Sequence, residues 1–87
     1  METRVAVISI IVEQSESVQM LNDTLHEYSE YIIGRMGIPY RAKTRKVSII
    51  SVAIDAPQDT ISALSGKIGS LKGISVKTAY SSVVSTD

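Results

Sequence analysis

The chain has 87 residues, nine acidic and nine basic side chains, one histidine and no cysteine, so its formal net charge is zero. That length makes one small domain, and the missing thiols exclude disulfides and thiolate metal sites. The neutral balance argues against a broad electrostatic footprint for nucleic acid or an anionic membrane.

Charge is nevertheless segregated. Residues 1–31 sum to −5 and residues 32–46 to +5, which suits either head-to-tail orientation of copies or a solvated hairpin tip. A chain this short buries only about 60–65% of the surface its unfolded form exposes. Packing or self-association must therefore supply the staple that disulfides supply elsewhere. The cysteine-free composition fits a cytoplasmic setting. The N-terminal apolar run, Val5 to Val12, is eight residues long; it is too short to span a bilayer and lacks a small-residue cleavage pattern.

Arg4–Val12 reads as a strand that is apolar on both faces, with Ala6, Ile8, Ile10 and Val12 pointing one way and Val5, Val7 and Ile11 the other. Such strands sit in the middle of a sheet with both faces covered. Val18, Leu21, Leu25, Tyr28 and Ile32 then recur three and four residues apart, the stripe of a helix running from about Glu16 to about Glu30. Ser15 or Ser17 is placed to cap it, and Glu16 complements the positive end of its dipole.

Tyr31–Tyr40 reads as a strand loosened by Gly34 and Gly37, Arg41–Lys46 as a basic turn, and Val47–Asp55 as the next strand. Pro57 opens a second helix at its first position, where a missing N–H costs nothing. Ile61, Leu64, Ile68 and Leu71 form its buried stripe, and Gly73 supplies a left-handed C-terminal cap. Ile74–Ser82 closes the pattern as a strand. The predicted layout is one domain over residues 1–82 with a flexible tail at 83–87.

The order β-α-β-β-α-β predicts an α+β, ferredoxin-like fold: a four-stranded antiparallel sheet, two helices on one face, and the first and third strands central. With helices on one side only, Val5, Val7 and Ile11 need a second cover, and a second copy of the chain is the simplest one. A homo-oligomer, dimer or tetramer, is expected.

Catalytic constellations are missing. One histidine, no cysteine and scattered carboxylates leave no nucleophile–base pair, and no serine lies in Gly-x-Ser-x-Gly. The segment SGKIGSLKG (65–73) fails as a phosphate loop, because Ile61 stands where a glycine is needed and Ile68 where Ser or Thr is needed. Gly66 and Gly69 inside a helix point instead to close approach of another backbone. Asp55 and Asp59 flank the start of the second helix, where dipole complementation is favoured over metal binding. The tip RAKTRK (41–46) could touch phosphates, but it carries no aromatic and no recognition helix, so direct nucleic-acid binding is disfavoured.

The segment HEYSEYIIGRMGIPY (26–40) holds the only histidine, three of the four tyrosines, and Arg35 between two glycines. His26 lies on the polar flank of the first helix, beside Asn22, Asp23 and Glu30. It is either a surface histidine paired with Asp23 or Glu30, or part of a divalent-metal site completed from elsewhere. Arg35, with Tyr40 following on the same hairpin, either clamps a carboxylate or phosphate or is an edge-strand arginine paired with Glu27 or Glu30.

LHEYSEYIIGRMGIPY (25–40), followed by VSIISVAIDAP (47–57), ISALSGKIG (61–69) and GISVKTAYS (73–81), resembles the regulator family of iron-only hydrogenase systems over roughly residues 4–81. The resemblance implies an ACT-like domain similar in fold to the C-terminal domain of the nickel-responsive repressor. It also implies a bacterial cytoplasmic setting and a regulatory role linked to hydrogenase maturation or expression. That repressor holds nickel through histidines on its second strand and a cysteine on its third. Here the strand reads Gly34-Arg35-Met36-Gly37-Ile38-Pro39 and cysteine is lacking, so nickel coordination is not carried over and no cofactor is expected. The chain begins on its first strand, so no DNA-binding segment is expected before it, and a transcriptional role would need a partner protein, a different DNA-binding surface or an indirect mechanism.

The resemblance also guides the site. ACT-like dimers hold effectors where the first strand meets the first helix, here around Val12–Ser17, with Glu13 and Ser15 as candidates; the Arg35–Tyr40 hairpin is the second candidate, with His26 near it. The sequence thus predicts a non-catalytic module that senses a small effector, with a ligand-free protein-interaction or structural module, or a weak nucleic-acid binder through the basic 41–46 tip, as the alternatives.

Overall fold

The computed structural model describes residues 1–41 and 46–86. The elements are β1 (Thr3–Val12), a single 3₁₀ turn (Ser15–Ser17), α1 (Val18–Glu27), β2 (Ile32–Arg41), β3 (Lys46–Ala56), α2 (Gln58–Gly69) and β4 (Ile74–Ser85). The strands form one antiparallel sheet in the order β2-β3-β1-β4, so β1 and β3 are central as the pattern predicts.

Alternation along β1 decides which side is covered. Ala6, Ile8, Ile10 and Val12 are fully buried, as are Val52, Ile54 and Ala56 on β3. Ile8 pairs with Val52 and Ala6 with Ile54, which puts these side chains on one face. Leu21 and Leu25 of α1 and Ile61, Leu64 and Ile68 of α2 cover that face and lose all or nearly all contact with water. Each such side chain contributes roughly 1.5–3 kcal/mol by leaving water. The opposite face is bare: Val5, Val7 and Ile11 stay 39–45% exposed, and Met36 and Ile38 of β2 more so.

Both helices are shorter than the periodicity suggests. Residues 15–17 are a 3₁₀ turn, and neither Ser15 nor Ser17 caps α1 with its side chain. The Ser17 hydroxyl instead donates 2.6 Å to the carbonyl of Lys72, a tertiary bond that outcompetes local capping. α1 stops at Glu27 rather than Glu30, and tight turns follow from Tyr28 to Ile32. Sheet pairing ends the helix: the Asp55 N–H donates 3.0 Å to the Tyr31 carbonyl, and Ile32 enters the ladder opposite Ile54.

Pro57 is the N-cap of α2 rather than its first residue, with extended ψ of 148°; its carbonyl accepts from Thr60 and Ile61. Asp59 lies in the first turn of α2, whereas Asp55 belongs to β3. α2 and β4 are tied by hydrogen bonds between the hydroxyls of Ser65 and Thr78 and those of Ser62 and Tyr80.

Three glycine readings change. Gly73 has a positive φ of 73°, but it turns the chain into β4, four residues beyond the end of α2, and is not that helix's cap. A Cβ there would also overlap the side chain of Gln14, so glycine is required on both counts. A Cβ on Gly69 would meet the Val76 side chain at 3.1 Å, while one on Gly66 would meet nothing. The expected backbone approach is therefore found at neither position within the chain.

β4 runs three residues past Ser82. After a bulge, Arg4 pairs with Val84 and Thr3 with Ser85, because β1 begins early enough to offer partners to the residues expected to form a tail. Of the basic turn, residues 42–45 lie outside the described residues, and so do the phosphate-contact reading of Lys43 and Arg45 and any account of that tip.

Candidate functional site

Two clefts open on the helix side of the sheet, one at each end of α1. The first lies where β1 gives way to α1. Val12 is the last residue of β1, and the Glu13 N–H donates 2.8 Å to the carbonyl of Gly73. With the Ser17–Lys72 bond, this pins the β1–α1 junction to the turn before β4. Beside it is a cavity of about 250 Å³ lined by apolar Val12, Val18 and Val47 and by Ser15, Tyr40, Lys46 and Ser48. A shallower pocket continues from it past Glu13, Glu16 and Lys46.

The second cleft, of about 260 Å³, lies at the other end of α1 against the edge strand. Its lining is Asn22, Leu25, His26, Ser29, Ile32 and Arg35. Asn22, Leu25 and His26 come from α1 and Ser29 from the turn that follows it, and the register of β2 brings Arg35 opposite the buried Val52. Arg35 Nη2 donates 3.1 Å to Asn22 Oδ1, so the guanidinium is held against α1.

The five candidate side chains thus divide. Ser15 and Tyr40 meet at the junction with Glu13 on its margin, while His26 and Arg35 meet at the far end. Arg35 and Tyr40 share no cleft, so the hairpin is not the single pocket the sequence suggests. They stand five residues apart on an extended strand, roughly 17 Å along it.

Two local expectations are replaced. Glu27 pairs with Lys67 at 3.5 Å rather than with Arg35. The Lys67 ammonium also stands 5.1 Å from the centre of the Tyr28 ring. Its pKa is raised, first by a hydrogen bond and charge interaction with Tyr28 and then by the Glu27 carboxylate. Asp23, expected beside His26, accepts from Gln19 Nε2 at 2.8 Å. His26 is exposed and shares its cleft with Asn22, Ser29 and Arg35 instead.

Among the described residues, no three histidine or carboxylate side chains gather closely enough to hold a metal ion. No helix among them is long and apolar enough to cross a membrane. Sequence reasoning missed Lys46 and Ser48 at the junction and Ser29 in the far cleft. Ser29 was findable, three residues beyond His26 and one helical turn along; Lys46 and Ser48 arrive only through the β1–β3 register.

The sheet order and the two helices on one face define a ferredoxin-like α+β domain. The chain belongs to the TM1266-like family, "Iron-only hydrogenase system regulator, putative", whose model matches residues 4–78. It is similar to the solved structure of the uncharacterized protein TM1266 from Thermotoga maritima, at 34% identity and a TM-score of 0.80, over 90% of this chain and 96% of that one. At 12% identity it shares its fold with CPII, a nitrogen regulatory PII-like protein from Thiomonas intermedia K12 (apo form; TM-score 0.59, 99% of this chain and 98% of that one). CPII bound to ADP, AMP and bicarbonate superposes with a TM-score of 0.50 at 12% identity, over 95% of this chain and 98% of that one. No curated protein is similar to the chain.

Proposed function

We propose that the protein is a non-catalytic, cytoplasmic regulatory module of an iron-only hydrogenase system, one that binds a small effector at the β1–α1 junction and works as a homo-oligomer. The observation that carries this reading is the junction cavity. Apolar Val12, Val18 and Val47 meet Ser15, Tyr40, Lys46 and Ser48 at a point where two backbone segments are pinned by Ser17 and Gly73. An apolar body with a few convergent polar groups is what small-molecule sites present. Membership of a family of hydrogenase-system regulators supplies the setting.

The bare sheet face supports self-association. Val5, Val7, Ile11, Met36 and Ile38 form an apolar surface, with Ser9, Ser51 and Lys77 among them by register, that a second sheet can cover. Regulation would then be exerted through a protein partner rather than by direct contact with DNA.

A thermal-shift screen with amino acids, nucleotides, bicarbonate and divalent metals tests the effector reading. Nucleotides and bicarbonate are included because CPII, which shares the fold, holds them. A binding effector raises the melting temperature by several degrees at saturating concentration, and Lys46→Glu removes the rise. No rise with any member of the panel favours the ligand-free interaction module. Sedimentation at micromolar concentration tests the assembly, and a stable monomer there removes the oligomer from the proposal.

A further inference from the structure

The cleft at the far end of α1 has a chemistry of its own. Arg35 spends one guanidinium N–H on the Asn22 side-chain oxygen, which leaves the rest of the fork, and the Asn22 amide N–H groups, to donate elsewhere. The Ser29 hydroxyl and the His26 ring add further donors around the same space, and no carboxylate among the described residues lines it. The carbonyls of Leu25 and His26, at the end of α1, accept from the N–H groups of Tyr28 and Ser29; the negative end of a helix opposes an anion, so the Arg35 guanidinium has to supply the attraction. Glu27 is engaged by Lys67 and Asp23 by Gln19. Behind the donors, Leu25 and Ile32 give the cleft an apolar wall.

We propose that this cleft is a second binding site, one for a short-chain carboxylate: the carboxylate on the Arg35 fork, with Asn22 and Ser29 donating to it, and the alkyl body against Leu25 and Ile32. A planar guanidinium held from one side matches a carboxylate in two-point geometry. The volume, about 260 Å³, is below the roughly 300 Å³ at which drug-sized pockets begin, so the ligand is small. The apolar wall separates this chemistry from a bare phosphate subsite. The site lies away from the β1–α1 junction and holds whether or not that cavity binds an effector.

Amide-resolved NMR titration of the full chain with sodium butyrate, sodium phosphate and sodium chloride at constant ionic strength tests the site. Butyrate is expected to give saturable shifts at Asn22, Ser29 and Arg35, phosphate to bind more weakly, and chloride to produce none of the saturating response. Arg35→Ala is expected to weaken butyrate at least about tenfold, as for loss of a charge-assisted hydrogen bond. Should Arg35→Ala lose its dispersed spectrum, Arg35→Gln with intact dispersion carries the same expectation. Butyrate shifts that match chloride, that survive removal of the guanidinium, or that fall only at Ser15 and Ser48 overturn the proposal. So does phosphate binding as tightly as butyrate, because the apolar wall would then contribute nothing.

Discussion

Ile8 and Ile11 stand three residues apart on the same central strand and carry the same side chain, yet Ile8 is fully buried and Ile11 is 41% exposed. The strand offers two apolar faces of similar strength, and the chain has helices for only one of them. A face whose valines and isoleucine stay 39–45% exposed contributes less to the subunit's stability than one that leaves water entirely. An exposed apolar face of this kind is what an interaction surface presents, and the proposed homo-oligomer would cover it. The covered face holds the fold, and the bare face is the surface on which an assembly would form.

Truncating the two isoleucines breaks or sharpens this contrast most directly. Ile8→Ala is expected to cost about 2–5 kcal/mol in denaturant unfolding, the range for a filled core position. Ile11→Ala is expected to cost less than about 1.5 kcal/mol at high dilution, with a larger loss appearing only as protein concentration rises. Equal costs at all concentrations would mean that the two faces do not differ in the way their exposure implies.

The next effect concerns the end of the covering layer. Gly73→Ala places a side chain at positive φ and against Gln14, and a loss of about 1–3 kcal/mol is expected in the same measurement. Ser17→Ala deletes the buried bond to the Lys72 carbonyl and is expected to cost about 0.5–1.5 kcal/mol. Hydrogen exchange should rise locally in residues 70–74 with little change in β2. The smallest effect has the opposite sign: Gly66→Ala fills open space on an exposed helix position and is expected to stabilise by about 0.5–1 kcal/mol. A loss on Gly66→Ala would show that position 66 is packed against something outside the single chain.

The bare face and the order of elements were legible because both follow from periodicity, two for strands and 3.6 for helices, and these residues keep the period cleanly. Tyr28 and Ile32 kept it too, yet α1 ends before both. Pairing of Ile32 with Ile54 and of Asp55 with Tyr31 is a long-range event that no local window contains. The same holds for Ser17, whose preference for capping gave way to a carbonyl 55 residues away.

The candidate site divides along that line. His26 and Arg35 were conspicuous by composition, the sole histidine and an arginine between glycines, and Asn22 and Ser29 follow from helical spacing once His26 is chosen. Which of them meet was settled by the register of β2, which sends Arg35 toward α1 and leaves Tyr40 at the opposite end.

By itself the sequence determined the order of strands and helices, the central place of β1, the buried stripes and the family to which the chain belongs. Those depend on side-chain alternation and on short motifs, which act over a few neighbouring residues. The tertiary structure alone decided where α1 stops, why position 73 must be glycine, and that Tyr40 lines the junction cavity with Ser15 rather than a hairpin pocket with Arg35. Each of these depends on groups far apart in the chain whose separation is fixed only when the sheet has formed.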